Sequence, residues 1–199
     1  EAREPKDLME TQILLGFEGV PYGADDFYTA QILAAIIGGG MSSRLFQEVR
    51  EKRGLCYSIY SFHWSFSDTG VFGVHAATGP EDVEELMPVL TDELGRAAGD
   101  ISEREMQRAR AQLRAGLLMT LESPAARAGQ LARQLLLFGR IIPPEELVSR
   151  IEAITVGDIH RLAERIFRGG PLTLATVGPA NGKFDRERLA SRLGVRPSG

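Results

Sequence analysis

Two side chains in this sequence combine donor chemistry with close spacing: Arg50 and Tyr57, on either side of Gly54. A guanidinium offers five N–H donors in a planar fork that suits a carbonyl or a carboxylate. A phenol can donate to an oxygen on which negative charge develops, as donors in oxyanion holes do. The glycine between them lets the backbone reverse, bringing the end of a helix close to the start of a strand. Taken by type and position alone, the plainer reading is the stronger one. Arg50 stands where the dipole at a helix C-terminus favours a cation, and Tyr57 where strands favour aromatics. Arg44 and Arg53 are read as surface charges, with binding of acidic side chains as the lesser alternative.

The remaining chemistry-bearing residues point to less. The histidines are His63, His75 and His160, and no His-x-x-Glu-His occurs. A four-residue turn over 67–70 pairs His63 with Val74, leaving His63 and His75 on opposite faces of a hairpin. A one-residue slip would bring them together, but zinc would still lack a third protein ligand there. His160 and Glu164, four apart on a helix, read as a solvated surface pair. Cys56 is the only cysteine, which excludes an internal disulfide and a Cys-based zinc site; it reads as a small buried residue. The run Gly38-Gly39-Gly40 is no phosphate cradle, because no Lys-Ser/Thr follows and a helix, not a strand, precedes it. It reads as a helix stop and flexible hinge, Gly38 taking the left-handed conformation.

Composition sets outer bounds. The 199 residues are 43% hydrophobic and 25% charged, ordinary for a globular domain with one well-buried core. A net charge of −4 argues against nucleic acid as the main partner. No stretch reaches the roughly 18 consecutive apolar residues of a membrane span, so no membrane partner is expected. Residues 1–7 are charged and contain no apolar signal-peptide segment.

Periodicity supplies the elements. Thr11 to Glu18 alternates as a strand, with Ile13, Leu15 and Phe17 on one face. Asp25 or Asp26 caps a helix carrying Phe27, Ala30, Leu33, Ala34 and Ile37. A short helix spans 44–52. A strand from Tyr57 places Tyr60, Phe62, Trp64 and Phe66 on one face, read as core, with Tyr57 directed to the other, more polar side. Val71 to Ala77 returns beside it. Helices follow: one opened by Pro80, one with a Ser102/Glu105 capping box, one from Ser123-Pro124 to about Gly139, one from Pro143-Pro144, and one capped by Thr155 and Asp158. Leu172 to Val177 is a final strand, and Asp185 to Leu193 a last short helix. The fold class is α+β, a two-layer α/β sandwich whose mostly antiparallel sheet lies on several long helices, with residues 1–199 forming a single domain.

The run from Gly38 through Ser58, containing Arg50-Glu51-Lys52-Arg53-Gly54-Leu55-Cys56-Tyr57, resembles the hallmark segment of the second homologous half of the pitrilysin-like zinc peptidases. The segments Ile154-Thr155-Val156-Gly157-Asp158-Ile159 and Leu172 to Pro179 resemble the usual ending of that domain. In that family an Arg and a Tyr seven residues apart hold substrate against a zinc site built by the first half. The resemblance therefore implies a substrate-binding C-terminal domain of a bacterial-type zinc metallopeptidase, with Arg50 and Tyr57 at the matching positions. It implies zinc in an N-terminal half or catalytic subunit as partner, a peptide or presequence as substrate, and no zinc in this chain. The helix over 26–37 occupies the place of the zinc helix and carries no imidazole. Gly38, Gly39 and Gly40 match a loop that handles substrate in one family member. The chain alone is expected to be inactive, and the isolated domain to be able to self-associate. The alternative within the family is a non-catalytic structural or binding module, like the core subunits of a respiratory complex.

Overall fold

The computed structural model of the chain describes residues 1–179 and 184–195. Its strands are β1 (Ala2–Glu4), β2 (Thr11–Glu18), β3 (Ser58–Ser65), β4 (Gly70–Thr78) and β5 (Thr173–Val177). They form one sheet in the order β1-β5-β2-β4-β3, antiparallel except where β1 runs parallel to β5. The helices are α1 (Phe27–Gly38), α2 (Val83–Arg96), α3 (Glu103–Glu122), α4 (Pro124–Phe138), α5 (Pro144–Glu152), α6 (Val156–Arg168) and α7 (Arg186–Leu193). Among the described residues, no helix is long and apolar enough to cross a membrane.

Helix starts obey the sequence chemistry. Ser102 and Glu105 cap α3 reciprocally, and Thr155 and Asp158 do the same for α6. Pro124 opens α4, and Gly139 closes it in the left-handed conformation at φ 66°. Two expectations need correction. Pro80 lies in a turn, and α2 begins at Val83. Asp26 precedes α1 without a side-chain cap; its carboxylate instead meets Arg161 at 3.4 Å and Arg165 at 3.2 Å, tying α1 to α6.

The core lies between one sheet face and the helices. Ile13, Leu15, Phe72, Val74 and Leu174 project from the sheet into it. On α1, Ile32, Leu33, Ile36 and Ile37 are all buried, whereas Tyr28, Gln31 and Ala35 form a half-buried side. Phe167 of α6 meets Phe17 and Phe72 edge-on, each at 5.3 Å.

The aromatic row of β3 lies on the opposite sheet face from the one expected. Tyr60 is 45% exposed, Trp64 61% and Phe66 49%, whereas Ile59, Ser61, His63 and Ser65 are buried. The cause is the close approach of α1. A Cβ on Gly38 would lie far inside contact distance of the Ser61 amide, so the face turned to α1 must carry small or hydrogen-bonded groups. Ser61 Oγ donates to Ala34 O (2.7 Å), Ser65 Oγ donates to Val20 O (2.8 Å), and Val20 N–H donates to His63 Nε2 (3.1 Å). The rings take the outer face, where Phe62 covers its register partner Gly73 and stands 4.3 Å from Trp64.

Gly38 is consequently needed for space rather than for a left-handed turn. Neither Gly38 nor Gly39 has positive φ; the chain turns at Gly40, with φ 149°. Gly38→Ala should cost about 1–3 kcal/mol through forced separation of α1 from β3. Thermal melting will show this as a transition lowered by several degrees, and an unchanged melt would refute the contact.

His63 gives the same interface a pH dependence. Burial is the main cause that pulls its pKa from 6.5 down to about 4. A protonated Nε2 would confront the Val20 N–H. Because the folded value lies below the unfolded one, the full contribution is present above pH 6.5 and is lost as pH falls towards 4. The loss should approach about 3 kcal/mol, read as a drop in urea midpoint between pH 7 and pH 4. His63→Gln should flatten this window.

Candidate functional site

Between α1 and β3 the chain makes a loop, a single helical turn and a reversal, and each is held from α3 or from within. Every carbonyl from Gly39 to Ser42 receives a donor. Gln112 Nε2 donates to Gly39 O (3.0 Å), Ser43 Oγ to Gly40 O (2.6 Å), Gln47 Nε2 to Met41 O (2.7 Å) and Arg108 Nη2 to Ser42 O (2.7 Å). The triple-glycine loop is therefore a tethered bend, in contrast to the flexible hinge expected. Arg108 and Gln112 are four apart on α3, so one helix face supplies two of the tethers.

Arg44 is no surface charge. Its side chain is only 10% exposed and forks onto Glu105 at 2.6 and 3.0 Å, while also bonding the carboxylate and carbonyl of Asp100. Burial alone would raise the Glu105 pKa; bonds from Arg44 and Ser102 instead hold it at about 2. One carboxylate thus caps α3 and anchors the segment that leads to Arg50.

Residues Phe46–Glu51 form a π-helical turn where the sequence predicts an α-helix, with Lys52 N–H donating to Gln47 O at 3.0 Å. Such turns are rare and recur at functional sites. Leu45 and Val49 face the core; Arg50 faces out, its guanidinium carbon 4.8 Å from the Phe46 ring centroid. Gly54, at φ 67°, then reverses the chain with its N–H on Arg50 O (3.0 Å). Leu55 and Cys56 turn inward, and burial pushes the Cys56 thiol up to about 11, against the Arg50 charge. That thiol is no nucleophile at neutral pH.

Tyr57 is 70% exposed. Its N–H donates to Ala77 O (3.0 Å), yet Ala77 is the register partner of Ser58. Tyr57 thus stands just before β3, outside the regular ladder, where strict alternation of faces does not yet apply. Arg50 and Tyr57 accordingly stand exposed on the two arms of one fixed reversal.

Charge pairing around them is selective. Glu48 takes both Lys52 and Arg53, which lowers its pKa, the Lys52 bond foremost. Arg44 is taken by Asp100 and Glu105. Arg50 has no carboxylate within ion-pair distance among the described residues; its contact is the Phe46 ring.

The other candidates resolve without a metal. His63 faces α1, its Nδ1 3.3 Å from the Gln31 side-chain nitrogen. His75 lies on the outer face, stacked on Tyr60 at 4.9 Å and 2.9 Å from Gln12 Oε1. The hairpin pairs His63 with Phe72, two residues from the expected register, which preserves their opposition. Glu164 bonds Arg168 at 2.9 Å in place of the expected His160. Among the described residues no group of three or more His, Cys, Asp or Glu could hold a metal ion, and the donor set around α1 does not fit zinc. Beside this region a groove of about 1160 Å³ runs along β3, bordered by Gln31, Gly39, Phe62, Gln112 and Arg133.

Comparison with known proteins agrees with this architecture. A zinc protease of Rickettsia felis, described as uncharacterized, is 43% identical over 175 residues, covering 87% of this chain and 42% of that protein. Likewise described, the zinc protease YmxG of Bacillus subtilis is 30% identical over 176 residues, covering 88% and 43%. The chain spans less than half the length of these curated relatives. A chain of Complex III2 from Candida albicans, Inz-5 bound, superposes with a TM-score of 0.86 over 96% of this chain and 48% of its own length; at 24% identity this shows the shared fold. The family model described as the peptidase M16 inactive domain matches residues 2–113, more than half of the sequence, so the chain belongs to the M16 peptidase family through that domain.

Proposed function

We propose that this chain is the zinc-free, substrate-gripping half of an M16 zinc peptidase, holding peptide with Arg50 and Tyr57 against a zinc site carried by an N-terminal half or separate catalytic subunit. The observation that carries this reading is the selective pairing around the reversal. Among the described residues Arg44, Lys52 and Arg53 each meet carboxylates, whereas the Arg50 guanidinium has no hydrogen-bond or ion-pair partner and Tyr57 keeps its phenol exposed. Two donor side chains without an acceptor among the described residues, on a reversal closed by its own backbone bonds, fit a ligand-binding role better than a stabilising one.

In this reading Arg50 binds a carbonyl or carboxylate of the peptide through its guanidinium edge. Tyr57 donates to the scissile carbonyl oxygen as negative charge grows on it during water addition. A donor so placed contributes more to the transition state than to the ground state, which is the requirement for raising turnover. The Gly38–Gly40 loop serves as a fixed wall of the site, since the Gly39 and Gly40 carbonyls are already occupied from α3 and the turn after it.

The test uses the full-length protein and a mixed pool of internally quenched nonapeptides, with zinc measured by mass spectrometry. Tyr57→Phe should lower turnover by about 100-fold, the scale of losing one oxyanion donor, with zinc content unchanged. Arg50→Ala should act mainly on KM. The present chain by itself should leave the pool intact. Wild-type turnover in both variants would refute the reading, and an unmutated full-length protein that leaves the pool intact would favour the non-catalytic module.

A further inference from the structure

We infer that Phe46 is a positioning residue for Arg50, an aromatic plate that fixes the guanidinium so that its donor edge is presented to the ligand; this rests on the role proposed for Arg50. An arginine side chain has four rotatable bonds, and an exposed one without a partner samples many positions. Holding it in one of them is what separates a binding group from a surface charge. The neighbouring cations are held by carboxylates, but a carboxylate would occupy the same N–H groups that a ligand needs. A ring face restrains the guanidinium differently: it attracts the flat cation through its π-face and leaves the in-plane N–H donors open.

The local structure supplies this plate. Phe46 is half-buried, its backbone fixed at the start of the π-helical turn between buried Leu45 and the face bearing Val49. Its ring lies against the Arg50 guanidinium. Residues four apart in an α-helix are offset by about 40° around the axis; the wider π turn, with about 4.4 residues per revolution, changes that offset and sets position 50 relative to position 46. The 4.8 Å separation lies within the range of a cation–π contact. Gly54 and Leu55 close the turn through N–H bonds to Arg50 O (3.0 Å) and Val49 O (3.1 Å), which keeps it from drifting.

A double-mutant cycle in the full-length protein tests this, with kcat/KM on the quenched nonapeptide pool as the readout. Phe46→Leu should lower kcat/KM about five-fold in the wild-type background, in the range of one exposed cation–π contact. Phe46→Tyr should restore it. In an Arg50→Ala background Phe46→Leu should cause no further loss, because the plate then has nothing to hold. Equal losses in both backgrounds would make Phe46 a packing residue and overturn the inference, as would wild-type activity in Phe46→Leu while Arg50→Ala is impaired. If Arg50→Ala is itself fully active, the proposed role of Arg50 fails and the inference with it; that outcome is distinct from the other two.

Discussion

The contact between α1 and β3 governs the rest of this structure. A helix normally stands about 10 Å from a sheet because side chains of both fill the gap. Here the helix end comes closer, since residue 38 has no side chain and the facing strand positions are Ser61, His63 and Ser65. The polar groups so enclosed are not left unsatisfied: two seryl hydroxyls and an imidazole bond helix or loop backbone. This seam has two consequences. It drives the aromatic row to the outer sheet face, and it fixes where α1 ends, hence where the Gly39–Ser42 bend and the reversal beyond it begin.

From that fixed start, α3 holds the bend and the turn in place. Its first three turns carry Glu105, Arg108 and Gln112 along one side, and these bind Arg44, Ser42 O and Gly39 O respectively. A loop of three glycines would otherwise bring high backbone entropy to the base of the site. The bonds from α3 remove that freedom at positions some 60–70 residues away in sequence. The capping box at Ser102 adds to this, because the Glu105 that holds Arg44 is itself oriented by Ser102.

Much of this is legible in the sequence, and the departures are informative. Capping boxes, strand alternation and the hallmark run are readable because each is a local rule with its residues close together. The β3 faces invert for a physical reason: hydrophobicity predicts four aromatics inside, but the space available is set by Gly38, a residue far from them in sequence. The bond network of Arg44 is hidden because its partners lie beyond the far end of α2 and on α3. β1 has no signature of its own, since Ala-Arg-Glu carries no apolar pattern and pairing with β5 alone defines it. The Phe46–Arg50 spacing is visible; the π-helical turn that gives it meaning is not, since no local propensity distinguishes that turn from an α-helix.

The exposure of Arg50 and Tyr57 also arises from local geometry and not merely from their polarity. Tyr57 shares its sequence parity with the buried Ile59, so a regular strand would turn it towards the helices. Tyr57 precedes the first residue of β3 and bonds Ala77 O, the partner of Ser58, so that parity does not bind it. Arg50 lies between core-facing Val49 and a glycine that reverses the chain, which leaves its side chain one direction, outward. The neighbouring Glu48 does not capture it, because that carboxylate accepts from Lys52 and Arg53 instead. The π turn before the reversal is an irregularity that packing alone does not require, because a regular helix would bury Leu45 and Val49 equally well. An irregular turn that leaves two donor groups exposed, on a frame held by side-chain bonds from α3, is the feature on which the proposed role of Arg50 and Tyr57 rests.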